Sequence, residues 1–169
     1  MGYIHDTAMS RFISPFECGY TAGTWTPTIA SNMIENVRTA ADASCTILIP
    51  ILLPSNSVAL KGAYLKSIDI YYSIATAAAD AVAALAVDKI TLGVDGTACA
   101  GATVAITTDT GHDTGAERLD IEDHTMTTTI TTPVWIDDDE HFVASLVVDN
   151  AATTVLSFIG ARANYTLRV

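Results

Sequence analysis

Residues 107–124 read TTDTGHDTGAERLDIEDH and bring six carboxylates and two histidines into eighteen positions. Hard oxygen donors at this density suit a calcium ion. Asp109, Asp113, Glu117 and Asp120 are the four residues that would hold it. The spacing departs from an EF-hand loop. Counted from Asp109, Gly111 falls at position three, Gly115 at seven and Asp120 at twelve, where that loop needs glycine at six and glutamate at twelve. His112 and His124 are candidate zinc ligands, but they lack helical His-x-x-x-His spacing and a marked third ligand. The alternative is a solvated acidic connection. In that case Asp and Thr side chains hold turns and Arg118 pairs with a carboxylate. His124 and His141 each open a strand-like run and are expected to be surface residues, with a cross-strand pair as one arrangement.

Other chemistry-bearing patterns are missing. The chain has no GxSxG elbow, no P-loop and no GxGxxG fingerprint. The acidic run Asp137–Glu140 between two strong strands reads as a charged hairpin turn. Of the aromatic residues, Trp25, Trp135 and Tyr71 are the candidates for a sugar-binding face, with a core place preferred for Trp135. The expectation is a non-enzymatic protein without catalytic or cofactor-binding residues, calcium being the one ion the donors allow.

Composition narrows the partners. The 169 residues are 50% hydrophobic and 16% charged, enough apolar content for one domain with a core. Net charge is −11, which repels phosphate backbones and anionic lipid surfaces. Neither nucleic acid nor a membrane is expected as a partner. The longest apolar stretches, ILIPILLP and IATAAADAVAALAV, are too short to span a bilayer, which takes about 20 residues. No signal-peptide pattern opens the chain. Cys18, Cys45 and Cys99 form no CxxC pair; Cys45 and Cys99 read as small core residues.

The elements that must position these residues are strands. Residues 1–43 show no sustained period and are read as an extended N-terminal arm with one short strand near Trp25. Within the arm, 31–42 is a helical turn or loop. Residues 44–169 are the body. SCTILIPIL (44–52) is a buried strand in which Pro50 marks an edge or bulge, and PSNS (54–57) is a turn. In 63–74, Ile68, Ile70, Tyr72 and Ile74 share one face, and Ser67, Asp69, Tyr71 and Ser73 the other. Residues 75–87 are a short helix or an irregular crossover. KITLGVDG closes in an Asp-Gly turn, and GATVAITT (101–108) is one strand. Alternation is strongest in 124–132, 141–149, 153–160 and 161–169. About eight or nine strands separated by turn signals predict an all-β antiparallel sandwich, jelly-roll-like, with at most one short helix.

This strand-rich body and its alanine- and threonine-rich texture, above all GHDTGAERLDIEDHTMTTTITTPVWIDDDEHFVASLVVDNAATTVLSFIGARANYTLRV, resemble small accessory virion proteins of bacteriophages. Those are head-decoration or cement proteins and short fibre or adaptor subunits. The resemblance covers roughly residues 60–169 and implies no catalytic residues. It implies a virion location, made in the host cytoplasm. The implied partners are further copies of the chain, a trimer being one arrangement, and a major capsid or other virion protein. The alternative is an extracellular-type glycan- or receptor-binding sandwich with calcium shaping 109–123.

Overall fold

A computed structural model describes residues 5–30, 33–55 and 62–168. The structure is an all-β sandwich in which every pairing is antiparallel. The turn at 54–57 and the terminal Val169 fall partly or wholly outside the described residues.

One sheet is built on two long neighbours, β6 (Gly62–Ala75) and β13 (Val155–Arg168), which pair along almost their whole length. On the far side of β6 lie β11 (Asp123–Trp135) and then β10 (Ile106–Thr108). On the far side of β13 the neighbour changes. β4 (Met33–Arg38) covers Leu156–Phe158, and β1 (Asp6–Ile13) covers Ala161–Arg168. β3 (Trp25–Ala30) forms the outer edge beside β4. The second sheet runs β2 (Gly19–Thr21), β5 (Ala43–Ile51), β12 (Glu140–Asn150), β8 (Ala86–Thr91), β9 (Ala100–Thr103), with β7 (Ala81–Val82) also on β12.

The period-2 reading holds where it was sharpest. Ile68, Ile70, Tyr72 and Ile74 are buried from one sheet, and Phe142, Ala144, Leu146 and Val148 face them from the other. His124, Met126, Thr128 and Ile130 fill the same layer from β11. Each enclosed Ile, Leu or Phe side chain contributes about 1.5–3 kcal/mol through loss of apolar surface from water. Pro50 pairs with Val143 inside β5. β2 ends opposite Leu48, so the proline's missing N–H falls on a side with no partner strand to disappoint. Asp95 and Gly96 both have positive φ, and Thr97 N donates to Val94 O, as the predicted Asp-Gly hairpin turn requires.

Other expectations are corrected. The segment read as an arm supplies four strands, β1–β4, shared between the two sheets, together with a 3-10 turn at Pro15–Glu17. Residues 33–38 are strand, neither helical turn nor loop. Its alternation is short and interrupted, so the pairing is visible only once β13 and β5 are in place. Residues 101–108 are two strands in different sheets, β9 and β10, with the chain crossing between the layers at Val104 and Ala105. Residues 75–87 form the irregular crossover, carrying β7 and the start of β8 without a helix. The acidic run 137–140 also crosses between sheets, since β11 and β12 belong to different layers. Cys99 is exposed; Cys45 is buried as expected.

The change of neighbour along β13 depends on Gly160. The β6–β13 register shifts between Phe158 and Gly160, where β4 gives way to β1. Gly160 has φ +135°, and a Cβ there would lie 2.7 Å from both the Ile13 carbonyl oxygen and Phe12 Cζ. Gly160→Ala is therefore expected to destabilise the fold by about 1–3 kcal/mol through strain and clash. Urea denaturation checks this. A variant as stable as the native chain would contradict the handover at this residue.

Candidate functional site

The acidic loop is held by its own side chains. Thr114 caps a single helical turn, Gly115–Arg118. Glu117 N donates to Thr114 Oγ1, and Thr114 N donates to the Glu117 carboxylate at 3.0 Å. This is a capping box, and its Thr-x-x-Glu signature stands in the sequence at 114–117. Arg118 is buried and turns inward, donating to the carbonyl oxygens of Val82 at 2.9 Å and His112 at 2.6 Å. Backbone oxygens, and not the carboxylate expected from sequence, are its partners. Tyr72, on β6, donates its hydroxyl to Arg118 O at 2.9 Å. Burial raises the Tyr72 pKa above the ordinary tyrosine range.

Asp109 is the second tie. One oxygen accepts from Gly111 N and faces His112 Nδ1 at 2.9 Å; the other accepts from Thr127 N at 2.6 Å on β11. Burial pushes this carboxyl's pKa up, but the hydrogen bonds from His112, Thr127 and Gly111 outweigh it and hold the group below the usual carboxylate range. The two histidines do meet. His112 Nε2 lies 3.3 Å from His124 Nδ1, and His124 Nε2 lies 3.0 Å from the Asp120 carbonyl oxygen. The His124 ring stacks on Tyr72 at 4.5 Å between centroids. Both ends of this chain are oxygen acceptors, the Asp109 carboxylate and the Asp120 carbonyl. Glu122 Oε1 lies 3.8 Å from His124 Nδ1.

His124, 3% exposed, is thus a core residue and not a surface one. Its sheet is not that of His141, which pairs with Ile90 on β8, so the two are not cross-strand neighbours. Of the four candidate calcium ligands, Asp109 and Glu117 spend their carboxylates on protein donors. Asp113 lies beside Glu117, and Asp120 serves the knot through its main-chain oxygen. Among the described residues no group of three or more His, Cys, Asp and Glu side chains is placed to hold a metal ion.

Sequence reasoning missed a second polar cluster on the outward face of the first sheet. Asp69 is only 5% exposed although it points away from the core. Arg162 Nε and Nη2 donate to one oxygen at 3.0 and 2.8 Å, Asn164 Nδ2 to the same oxygen at 3.0 Å, and Thr127 Oγ1 to the other at 2.9 Å. Burial again raises the Asp69 pKa, and the bonds from Asn164, Arg162 and Thr127 outweigh it. Trp135 belongs to this outward face too; it is 38% exposed, contrary to its expected core place.

The third feature is apolar. β4 pairs with β13 only through Asn36–Arg38, whereas the β3–β4 hairpin continues to the Ala30–Met33 pair. Its far end leaves the sheet, exposing Ile29 (76%), Met33 and Ile34. Among the described residues, no helix is long and apolar enough to cross a membrane.

No protein-family model and no curated protein matches the sequence. Among solved structures, the enzymatically active domain of tailspike protein 4 of bacteriophage CBA120 is similar over 95% of this chain, at a TM-score of 0.37 and 6% identity. The chain spans about a fifth of that structure's length, 19%. A likeness at that level carries no argument about this chain's activity.

A carboxylate with a depressed pKa stabilises the fold above its ordinary value, and that stabilisation fades as pH falls through the folded-state value. Asp109 should therefore contribute fully above about pH 4 and lose its contribution below it. Asp109→Ala, which strands the Thr127 and Gly111 N–H groups, is expected to cost about 1–3 kcal/mol at pH 7. The deficit should shrink on acidification, as read by denaturation at pH 7 and pH 3. Because Asp109 and Glu117 already spend their carboxylates on protein donors, adding about 5 mM calcium should leave the melting temperature unchanged, whereas a bound ion would raise it by mass action.

Proposed function

We propose that this protein is a non-enzymatic structural subunit of a bacteriophage particle, one that associates with copies of itself and decorates or stabilises the capsid. The observation that carries the assembly reading is the β3–β4 hairpin. Its Ile29 and Ile34 form a cross-strand pair, with Met33 beside them, beyond the cover of the first sheet. Apolar side chains grouped on a projecting element lower the free energy when a neighbour removes them from water. β3 is also a sheet edge, with no strand on its outer side among the described residues, although Pro27 offers no N–H there. The virion setting draws on the resemblance of residues 60–169 to small accessory phage proteins. Net charge of −11 favours an outward-facing layer over one that meets the genome.

Size-exclusion chromatography with light scattering tests the assembly. The native chain should elute as a multiple of 17.8 kDa. Ile29→Asp combined with Ile34→Asp should return it to the single-chain mass, with stability changed by less than about 1 kcal/mol because both residues are exposed. A native protein that stays at 17.8 kDa at about 100 μM, where even weak specific contacts are populated, would overturn the reading. Cosedimentation with phage capsids tests the particle role in the same preparation.

A further inference from the structure

β5 carries apolar residues on both of its sides. Ile47, Ile49 and Ile51 fill the core, yet Leu48 is 40% exposed and Leu52, just past the strand, 52%, with Pro50 between them. An unbroken apolar run is the pattern of a strand covered on both faces. The exposure of Leu48 and Leu52 means that this chain leaves the outer face open. On β12 the same side holds Val143, Ser145 and Val147, the last 38% exposed and diagonal to Leu48 across the ladder. Gly19, opposite Leu48 on β2, has no side chain to cover it.

Charge sets this face apart. None of the outward positions 46, 48, 50 and 52 on the β5 side, or 143, 145 and 147 on β12, is charged. Asp88, opposite Val143 on β8, accepts a hydrogen bond from Thr103 Oγ1 at 2.8 Å. The outer face of the first sheet, by contrast, carries Asp69 and Arg162. On a chain of net −11, two copies meet with least repulsion where neither presents charge.

The β3–β4 hairpin supplies a matching surface. Residues 34, 36 and 38 share one side of β4, and Asn36 and Arg38 are buried there. Ile34, with Ile29 opposite, continues that core-facing side to where this chain has nothing to cover it. The other residues on this side of β3 are Trp25 and Pro27, so the hairpin too presents no exposed charge here. A sheet face of this kind packs on another sheet about 10 Å away. The hairpin strands are six residues long and β5 is nine, about 20 Å against about 30 Å, so the hairpin fits within the length of the open face. A hairpin that met only another hairpin would leave Leu48, Leu52 and Val147 in water.

We propose that the β3–β4 hairpin of one copy docks on the outer face of the second sheet of the next copy, with Ile29 and Ile34 seated against Leu48 and Val147. This rests on the assembly reading above and gives it a direction. The two surfaces differ, so the contact is head-to-tail, and a chain of such contacts closes into a ring or runs on as a filament. Complementation of two blocked variants tests it, read by light scattering after size exclusion, with circular dichroism to check folding. The face variant is Leu48→Asp with Val147→Asp, and the hairpin variant is Ile29→Asp with Ile34→Asp. Each alone should run at 17.8 kDa at about 100 μM, where the native chain associates. Mixed in equal amounts at about 500 μM, the two should form a complex of at most twice that mass. The intact hairpin of one then meets the intact face of the other, and both remaining surfaces are blocked. Should the aspartates unfold the second sheet, Leu48→Thr with Val147→Thr decides, with self-association expected to weaken at least about 10-fold. A native chain that is itself single at these concentrations overturns the assembly reading and this docking with it. A native chain that associates while the folded face variant does so equally overturns the docking alone. Loss of capsid cosedimentation in that variant would then give the face to a capsid protein. A mixture that stays at the single-chain mass while the native chain associates also overturns the docking.

Discussion

The ladder between β6 and β13 is the constraint on which the rest of the sandwich depends. Both strands are fourteen residues long and run at the centre of the first sheet. Their alternation sends one set of side chains into the core and the other outward. Ile68, Ile70 and Tyr72 meet Ala163, Ala161 and Phe158 on the inner side, while Asp69 meets Arg162 and Ser67 meets Asn164 on the outer. A one-residue slip would invert both sets at once, so core and outer face specify the same register. The two irregularities in that ladder occur where something else happens. At Gly160 the neighbouring strand changes, and at Lys66 a cation is turned outward.

Polar groups are concentrated where the sheet would otherwise leave donors or acceptors unmatched. Asp109 and Arg118 take up backbone groups from β11, from the 107–124 loop and from Val82 at the end of β7. The histidine pair lies between them against Tyr72. A buried polar group without a partner costs about 1–3 kcal/mol, which is why the most chemically suggestive stretch of the chain is drawn into holding itself together. Its two histidines and the carboxylates of Asp109 and Glu117 are spent on neighbouring side chains and on the main chain. On the outward face of the same sheet, Asp69 and Asp6 pair with Arg162 and Arg168, and Lys66 and Arg168 lie against the Tyr64–Trp135 pair.

The legible parts of the fold were those decided locally. The inward sets on β6, β11 and β12, the proline in β5 and the Asp-Gly turn follow from side-chain alternation and backbone conformational preference, both properties of a few consecutive residues. The capping boxes at Ser14–Glu17 and Thr114–Glu117 were equally readable. The N-terminal strands were not, because β1 exposes most of its residues and takes its hydrogen bonds from residues more than 140 positions away. Likewise, 101–108 reads as one strand. Only the stacking of two sheets reveals that its halves belong to different layers.

The sequence by itself determined that this is an acidic β protein with turns at most of the places it has them. Those properties are encoded in period-2 patterning and composition, which need no knowledge of the partner strand. Tertiary structure decided which carboxylates are free. It decided that His112 and His124 touch and that Trp135 stays outside. Each of those outcomes is set by the register between strands distant in sequence. Register is fixed by the simultaneous burial of many side chains and not by any single stretch of residues.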